Sequence, residues 1–232
     1  MKVKQFRYSK DNLGYLVYGL KTAIAIDPGA VKGMISFAEE KRVKIKYVTN
    51  THSHHDHTSG NNRMLEKTKA QFLDCKAIQN KKSLKLDNED LLVFHTPGHT
   101  MDSLTFKAND ILITGDTLFN GTVGNCFSGD LLSFFNSIKF LCGFPKETII
   151  YGGHDYVKDS MVYAKLIDKQ NPETDRYLKK YNPDHIISTL EDERKANPYI
   201  RFNDPAMVKI LNEKKLPRNT EYERFKSIYE LY

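Results

Sequence analysis

Four potential metal ligands lie within six consecutive positions of the chain, directly after the apolar, strand-like residues 45–48. They are His52, His54, Asp56 and His57. The two histidines that stand two positions apart at the end of a strand can converge on one cation, while the other two ligands lie across the next turn and can reach a second cation. The alternative is a solvent-exposed loop that is rich in histidine. Because the chain supplies further ligands elsewhere, the run predicts half of a two-metal centre.

Three further apolar, strand-like runs each lead to a glycine that is followed by a metal-ligand side chain. The runs and their ligands are residues 91–94 before His99, residues 111–114 before Asp116, and residues 148–151 before His154. Glycine permits the tight turn that aims the next side chain over the edge of a sheet. We therefore expect all the ligands along one edge of a β-sandwich. The pattern assigns His52, His54 and His99 to one metal, Asp56, His57 and His154 to the other, and Asp116 to a bridging position.

The remaining three of the eight histidines are not expected to bind metal. His55 lies inside the cluster, where the alternation of side chains at a strand end points it away from its neighbours. His95 follows an apolar run and is expected to support the loop that presents His99. His185 lies in a polar, helical region and is interpreted as a surface residue.

Six motifs together make the chain resemble the metallo-β-lactamase superfamily and, within it, the glyoxalase II family of hydroxyacylglutathione hydrolases. They are residues 51–57, 96–100, 115–119, 151–156, 187–190 and 197–201. The first four are shared by much of the superfamily, whereas the last two point to glyoxalase II. The resemblance covers essentially the whole chain and implies an αββα sandwich.

The apolar pattern divides the chain into two parts. Strands are expected at residues 14–17, 23–26, 45–49, 70–74, 91–95, 103–107, 110–114 and 148–151, with helices at 31–41 and 130–141. From about residue 159 the pattern becomes helical, with helix starts at Asn171-Pro172, Asp204-Pro205 and Thr220. We therefore predict a metal-binding domain over residues 1–158 and a small helical domain on the substrate side over residues 159–232.

The resemblance implies a dinuclear metal-dependent thioester hydrolase that cleaves S-D-lactoylglutathione, or a related acyl thioester, to a hydroxy acid and a free thiol. Two divalent cations would lower the pKa of water from about 16 toward 7 and polarise the thioester carbonyl. Asp116 and Asp56 are the predicted catalytic residues, the first as a bridge and the second as a ligand that can also orient the attacking water. Zinc is the expected metal, although histidine and aspartate ligands also suit iron and manganese.

The same motifs are also compatible with other functions. A mononuclear iron persulfide dioxygenase shares the histidine-rich run but usually lacks the long helical tail. Another hydrolase of the same fold, such as a lactonase or a phosphodiesterase, and a non-catalytic or RNA-directed use of the scaffold are further alternatives. The number of metals bound and a panel of thioesters would distinguish them.

The expected substrate contacts follow from the resemblance and are Asn125, Phe127 and Tyr156. Tyr156 matches a family contact to glutathione, whereas Asn125 and Phe127 stand where the family has a basic residue and an aromatic hydroxyl. Tyr229 and Tyr232 stand where an Arg and a Lys are expected. Each lost basic residue removes a charge-assisted contact to a carboxylate, worth about 1.5 to 3 kcal/mol.

The amino-acid composition is compatible with a small cytoplasmic enzyme. The net charge of +6 comes from Lys and Arg that are spread among acids, so a nucleic-acid partner is not expected. No run of about 18 apolar residues and no secretory leader is visible, so no membrane association is expected. The three cysteines are expected to be reduced. The pattern leaves the oligomeric state open.

Overall fold

The computed structural model describes residues 1–231, so the prediction made for Tyr232 lies outside the described residues. The first sheet has five strands in the order β1-β2-β3-β4-β5. They are β1 Lys2–Tyr8, β2 Asn12–Tyr18, β3 Thr22–Ile26, β4 Lys44–Thr49 and β5 Gln71–Leu73. The first three strands pair antiparallel, whereas β4 runs parallel to β3 and β5 parallel to β4. The end of β4 therefore lies at the same edge as the end of β3.

The second sheet has six strands in the order β11-β10-β9-β8-β7-β6. They are β6 Ser83–Leu86, β7 Glu89–His95, β8 Leu104–Ala108, β9 Ile111–Gly115, β10 Ile149–Gly152 and β11 Ser188–Thr189. β10 is parallel to β9, and β8 is antiparallel to both β7 and β9. Strands β7, β9 and β10 therefore run in one direction, and the ligands that follow them emerge at one edge.

Helices cover the outer faces of both sheets. They are α1 Val31–Lys41, α2 His55–Thr58, α3 Asn61–Thr68, α4 Cys75–Ile78, α5 Leu131–Leu141, α6 Val157–Ile167, α7 Glu173–Lys180, α8 Leu190–Ala196, α9 Pro205–Glu213 and α10 Glu221–Tyr229. Helices α1 and α3 contact β4 of the first sheet, and α5 packs with the helical tail on the second. The order of layers is helix, sheet, sheet, helix, as the αββα prediction states.

The alternation of side chains along the strands produces this layering, because successive residues point to opposite faces. In β3, Ile24 and Ile26 belong to the apolar cluster between the sheets, whereas Ala23 and Ala25 face α1. In β9, Ile113 points between the sheets and Leu112 points toward α5. Both faces of these strands are therefore buried, which fixes the register of each sheet.

The helical tail shares its packing with the sandwich. The strand β11 pairs antiparallel with β10 and completes the second sheet. Apolar residues of α9 and α10, including Met207, Leu211 and Phe225, lie in one buried cluster with Phe134 of α5. The tail is thus joined to the sandwich both by backbone hydrogen bonds and by a common core.

The αββα fold predicted from the sequence is confirmed, and the predicted strands and helices are present to within one or two residues. The prediction omitted β1, β6 and β11. The charged residues of β1 reduce its apolar signal, and its burial pattern is mostly exposed or intermediate. β6 and β11 have only four and two residues, which is too short for a clear periodic pattern.

The predicted helix starts agree with the observed caps. Asp204 accepts the N–H of Ala206, with Pro205 at the first helical position. Thr220 and Glu223 form the predicted capping box at the start of α10. Asn171 accepts the N–H of Glu173, the first residue of α7. A second capping box, between Thr189 and Asp192, begins α8 and was absent from the sequence prediction.

Within residues 1–231, no helix combines the length and the apolar character that a membrane crossing requires.

Candidate metal centre and adjoining pocket

Three histidines from separate turns meet in the first predicted group of ligands. His52 and His54 follow β4, and His99 follows β7. The Nδ1 atom of His54 lies 2.9 Å from Nε2 of His52 and 3.0 Å from Nε2 of His99. These three nitrogens are close enough to hold one metal ion.

The second predicted group also comes together. His57 lies in α2 and His154 follows β10, and their Nε2 atoms are 3.2 Å apart. Oδ2 of Asp56 lies 3.7 Å from Nε2 of His57 and 3.3 Å from Nε2 of His154. The Asp56 side chain is 48% exposed, so this group faces the open side of the site.

Asp116 lies between the two groups. Its Oδ2 is 3.5 Å from Nε2 of His99 and 3.4 Å from Nε2 of His154, and its Oδ1 is 3.3 Å from Nε2 of His57. Oδ1 is buried and accepts no hydrogen bond from any residue in the range 1–231. A buried carboxylate oxygen without a donor, surrounded by imidazole nitrogens, fits residues that hold divalent metal ions.

Hydrogen bonds on the far side of the imidazoles orient the candidate ligands. Nδ1 of His57 lies 3.0 Å from Oδ2 of Asp27, and Nδ1 of His154 lies 3.1 Å from Oδ1 of Asp11. Nδ1 of His99 lies 2.8 Å from the backbone oxygen of Asn125. Because these oxygens accept the Nδ1 hydrogens, the three Nε2 atoms face the cluster, where they can coordinate a metal when unprotonated.

Asp27 organises the buried side of the cluster. It is fully buried, has a φ of 50°, and accepts the backbone N–H and the hydroxyl of Thr51 at 2.8 and 2.7 Å. The Thr51 hydroxyl oxygen lies 3.1 Å from Nδ1 of His52. Sequence reasoning missed the roles of Asp27 and Asp11. Asp27 nevertheless follows β3 as the ligands follow their strands, and that signal could have found it.

The charges of the cluster are strongly coupled. Burial lowers the pKa of His52 to about 3, and the neighbouring His57 adds to the effect. His52 is therefore neutral near pH 7 and has a lone pair for a metal. Burial alone would raise the pKa of Asp116, but His57 and His154 hold it well below its usual range. The carboxylate is therefore ionised.

The three other histidines lie where the sequence placed them. His55 is exposed and belongs to none of the ligand groups among the described residues. Nε2 of His95 donates to the backbone oxygen of Met101 at 2.7 Å, which ties β7 to the loop after His99. His185 is exposed, with its Nε2 3.3 Å from the hydroxyl of Tyr151.

The cluster opens into a pocket of about 410 Å³, and the three predicted substrate contacts line it. The ring of Phe127 is 67% exposed, and its centre lies 5.5 Å from that of His54 and 5.3 Å from that of His99. Tyr156 stacks on His154 with ring centres 5.0 Å apart. The Asn125 side chain lies at the rim, and burial raises the pKa of Tyr156 to about 12.

A second pocket of about 430 Å³ adjoins the first. Phe119, Asn125 and Tyr156 line both pockets, so the two share a wall. The far wall comes from α6 and the tail, and it includes Tyr199 and Tyr229. Tyr229 stands at the position where the resemblance leads us to expect an Arg that contacts the substrate. Tyr229 does pack, but it also faces this pocket, and its hydroxyl accepts the N–H of Cys126 at 2.6 Å.

Comparison with known proteins identifies the family. Residues 12–72 and 87–154 match the family model of the metallo-beta-lactamase superfamily, and residues 155–231 match the hydroxyacylglutathione hydrolase C-terminus. A hydroxyacylglutathione hydrolase of Bartonella tribocorum is 32% identical, with 92% of this chain and 93% of that protein covered. One of Pelagibacter ubique is 30% identical, with 87% and 93% covered. The chain therefore belongs to the metallo-beta-lactamase superfamily and, within it, to the hydroxyacylglutathione hydrolase family.

Solved structures agree on the fold. The crystal structure of ETHE1 from Myxococcus xanthus superposes with a TM-score of 0.72 at 20% identity, covering 100% of this chain and 91% of that one. The BLEG-1 B3 metallo-beta-lactamase gives a TM-score of 0.66 at 20% identity, covering 86% and 99%. These identities are low, so the likeness concerns the fold alone.

Proposed function

We propose that this protein is a metal-dependent hydrolase that cleaves S-D-lactoylglutathione or a related acyl thioester to a hydroxy acid and a free thiol. The observation that carries the proposal is the cluster of seven candidate ligands, which opens into one pocket with a second pocket adjoining it. The pockets offer separate spaces for the acyl half and the thiol half of such a substrate. The relatives named hydroxyacylglutathione hydrolase, which cover most of the chain, support the same reaction class.

We propose that the site holds two divalent metal ions, with zinc as the expected metal and iron or manganese as alternatives. His52, His54 and His99 would hold one ion, and Asp56, His57 and His154 the other, with Asp116 shared. When bound, these ions would supply an activated water and would polarise the thioester carbonyl. Three groups of histidine and aspartate side chains support this assignment, because the ligand atoms within each group lie within 4.8 Å of one another.

The protein's own residues would position the reaction. Asp27 and Asp11 hold the imidazoles of His57 and His154, so that their free nitrogens point into the cluster. Asn12 donates to Oδ2 of Asp56 at 2.9 Å and restrains this half-exposed carboxylate, which can orient the attacking water. Because these side chains are already held in place, the reaction requires little further free energy to rearrange them.

The geometry also suggests the direction in which the substrate lies. The acyl group would occupy the pocket beside the cluster, where the Phe127 and Tyr156 rings flank the histidines. The thiol half would extend past Asn125 into the pocket formed with the tail. We accordingly keep the proposed division into a metal-binding domain, residues 1–158, and a substrate-side domain, residues 159–232.

A small-molecule substrate and a cytoplasmic location complete the proposal. All three cysteines are free, as is common in reducing compartments. The proposal includes no nucleic-acid partner.

The direct test is hydrolysis of S-D-lactoylglutathione by purified, metal-loaded protein, followed as release of free thiol. We expect turnover that disappears when chelation removes the metal and returns when zinc, iron or manganese is added back. An absence of thiol release with every metal and with a panel of other thioesters would overturn the proposal. Oxygen consumption with a glutathione persulfide by protein holding a single iron would favour the dioxygenase instead.

A further inference from the structure

The pocket between the sandwich and the helical tail has an unusual charge for a site that takes a carboxylate-bearing thiol. None of the residues that line it is Lys, Arg or His, and Asp159 is its one ionised side chain within residues 1–231. Tyr232, the residue outside the described range, is not a cation either. Asp159 lies in the first turn of α6, is exposed, and forms no ion pair with any described residue.

Three basic residues that are close in sequence to the pocket lining have partners elsewhere. Nζ of Lys158 lies 5.8 Å from the ring centre of Tyr181, and Nζ of Lys165 pairs with Asp175 at 2.6 Å. Arg201 is buried, with Nη2 2.9 Å from Oδ2 of Asp168. Because no described Lys, Arg or His lines the pocket, a ligand carboxylate placed there would find no cationic side chain in its wall.

Aromatic rings make up much of the remaining wall. Tyr156, Tyr163, Tyr199 and Tyr229 all line the pocket. The faces of tyrosine rings carry negative potential and attract cations, especially where water is partly excluded. The rings of Tyr199 and Tyr229 lie 6.2 Å apart at 68°, so they form a corner and not a flat surface. One acidic side chain and a wall rich in tyrosine rings therefore favour a positively charged group.

We propose that this pocket recognises the thiol half of the substrate through a cationic group, such as a primary ammonium, at Asp159 and the tyrosine rings, and not through carboxylates. This inference rests on the proposed thioester hydrolysis, because it assigns the thiol half to this pocket. It defines the preferred substrates as acyl thioesters of an aminothiol. The carboxylates of the thiol half, if it has any, would point to solvent. For glutathione the recognised group would be the ammonium of the γ-glutamyl residue.

The test uses three non-hydrolysable thioethers and measures their dissociation constants by calorimetry on the metal-loaded protein. They are S-methylglutathione, its diethyl ester, which lacks the carboxylates, and its N-acetyl derivative, which lacks the ammonium. We expect the ester to bind at least as tightly as the parent compound. We expect N-acetylation to weaken binding roughly tenfold, as loss of one partly exposed ionic contact would.

Two variants show whether Asp159 is responsible. Asp159→Asn should remove most of the difference between the parent thioether and its N-acetyl form. Asp110→Asn is the matched control, because Asp110 is also exposed and unpaired among the described residues. It precedes β9 at the end of the strand opposite Asp116. This control should keep the full difference.

Three outcomes would overturn the inference. They are a diethyl ester that binds tenfold more weakly than the parent, an N-acetyl form that binds equally well, and no binding of any of the three compounds. If the expected order of binding holds but no thioester is hydrolysed, the proposed function fails while the charge preference of the pocket stands. Measuring binding separately from turnover therefore distinguishes the two failures.

Discussion

At the scale of single residues, Asp116 is the side chain that contacts both candidate ligand groups. Its two oxygens contact imidazoles of both groups, and one of them has no other partner in the described chain. We predict that Asp116→Asn, which keeps the shape but removes the charge, loses at least one of two bound metals. Thioester hydrolysis should fall by at least about a hundredfold, since even the loss of an outer hydrogen-bonding partner can cost that much.

Elemental analysis after dialysis, with thiol release measured on the same sample, checks this prediction. Asp110→Asn, at the other end of β9, should keep both the metals and the activity. Full metal content in Asp116→Asn would show that the carboxylate is not a ligand. A wild-type protein with one tightly held iron would move the interpretation toward the dioxygenase.

Asn125 offers a test of the pocket's charge preference at the same scale. Its backbone oxygen orients His99, and the residue lines both pockets, so a substitution can add charge without removing that contact. We predict that Asn125→Lys raises the KM for S-D-lactoylglutathione roughly tenfold, about 1.4 kcal/mol, with kcat little changed. The added lysine would repel the substrate ammonium in the ground state and the transition state alike.

Steady-state kinetics measure the KM and kcat of this variant. Asn80→Lys is the control, because Asn80 is exposed and lines neither of the two pockets. A lower KM in Asn125→Lys would mean that a substrate carboxylate passes near this position, which contradicts the charge preference inferred for the pocket.

At the scale of elements, Glu193 of α8 fastens the tail to the loop that follows Asp116. This fully buried carboxylate accepts the N–H of Gly121 at 3.1 and 3.0 Å, the hydroxyl of Tyr177 at 2.5 Å and the amide of Asn197 at 2.8 Å. Glu193→Gln would place an N–H among these donors. We predict a loss of about 1 to 3 kcal/mol in the free energy of unfolding, with lower kcat/KM because the loop carries Asp116 and Phe119.

Chemical denaturation and thioester kinetics measure the two effects. Glu191→Gln on the same helix is the control, because its side chain is 44% exposed and, within residues 1–231, forms an ion pair with Lys195 alone. The Glu191→Gln variant should leave the free energy of unfolding and kcat/KM nearly unchanged. Equal behaviour of the two variants would refute a coupling role for Glu193.

Local sequence patterns explain why some secondary-structure elements could be predicted and others could not. β4, β7, β9 and β10 are apolar runs that are each followed within four residues by a candidate metal ligand, and both their existence and their ligands could be predicted. β11 could not, because two residues carry no periodicity and their pairing with β10 depends on tertiary structure. Likewise, Asp11 and Asp27 act through contacts to residues far along the chain, and local patterns do not encode such contacts.

At the scale of the whole molecule, the shared core bears on whether the tail is an independent domain. Leu211 of α9 is fully buried in the cluster that contains Leu112 of β9 and Ile150 of β10. We predict that Leu211→Ala lowers the free energy of unfolding by roughly 2 to 5 kcal/mol. The entire chain should unfold in one cooperative transition at a lower temperature.

Calorimetry tests this, because equal calorimetric and van't Hoff enthalpies indicate a single transition. Leu20→Ala removes the same atoms from a side chain that is 90% exposed and should have little effect. A separate low-temperature transition in Leu211→Ala, with an unchanged main transition, would indicate that the tail unfolds independently of the sandwich.

The position of β11 also has a consequence for synthesis on the ribosome. A nascent chain that has emerged through His154 already contains every candidate metal ligand, but β10 still has an unpaired edge and Ile150 lacks its cover from the tail. An open strand edge beside apolar surface is a template for association with other chains. The polypeptide therefore contains its candidate metal ligands before its protection against such association, and synthesis of residues 155–231 supplies that protection.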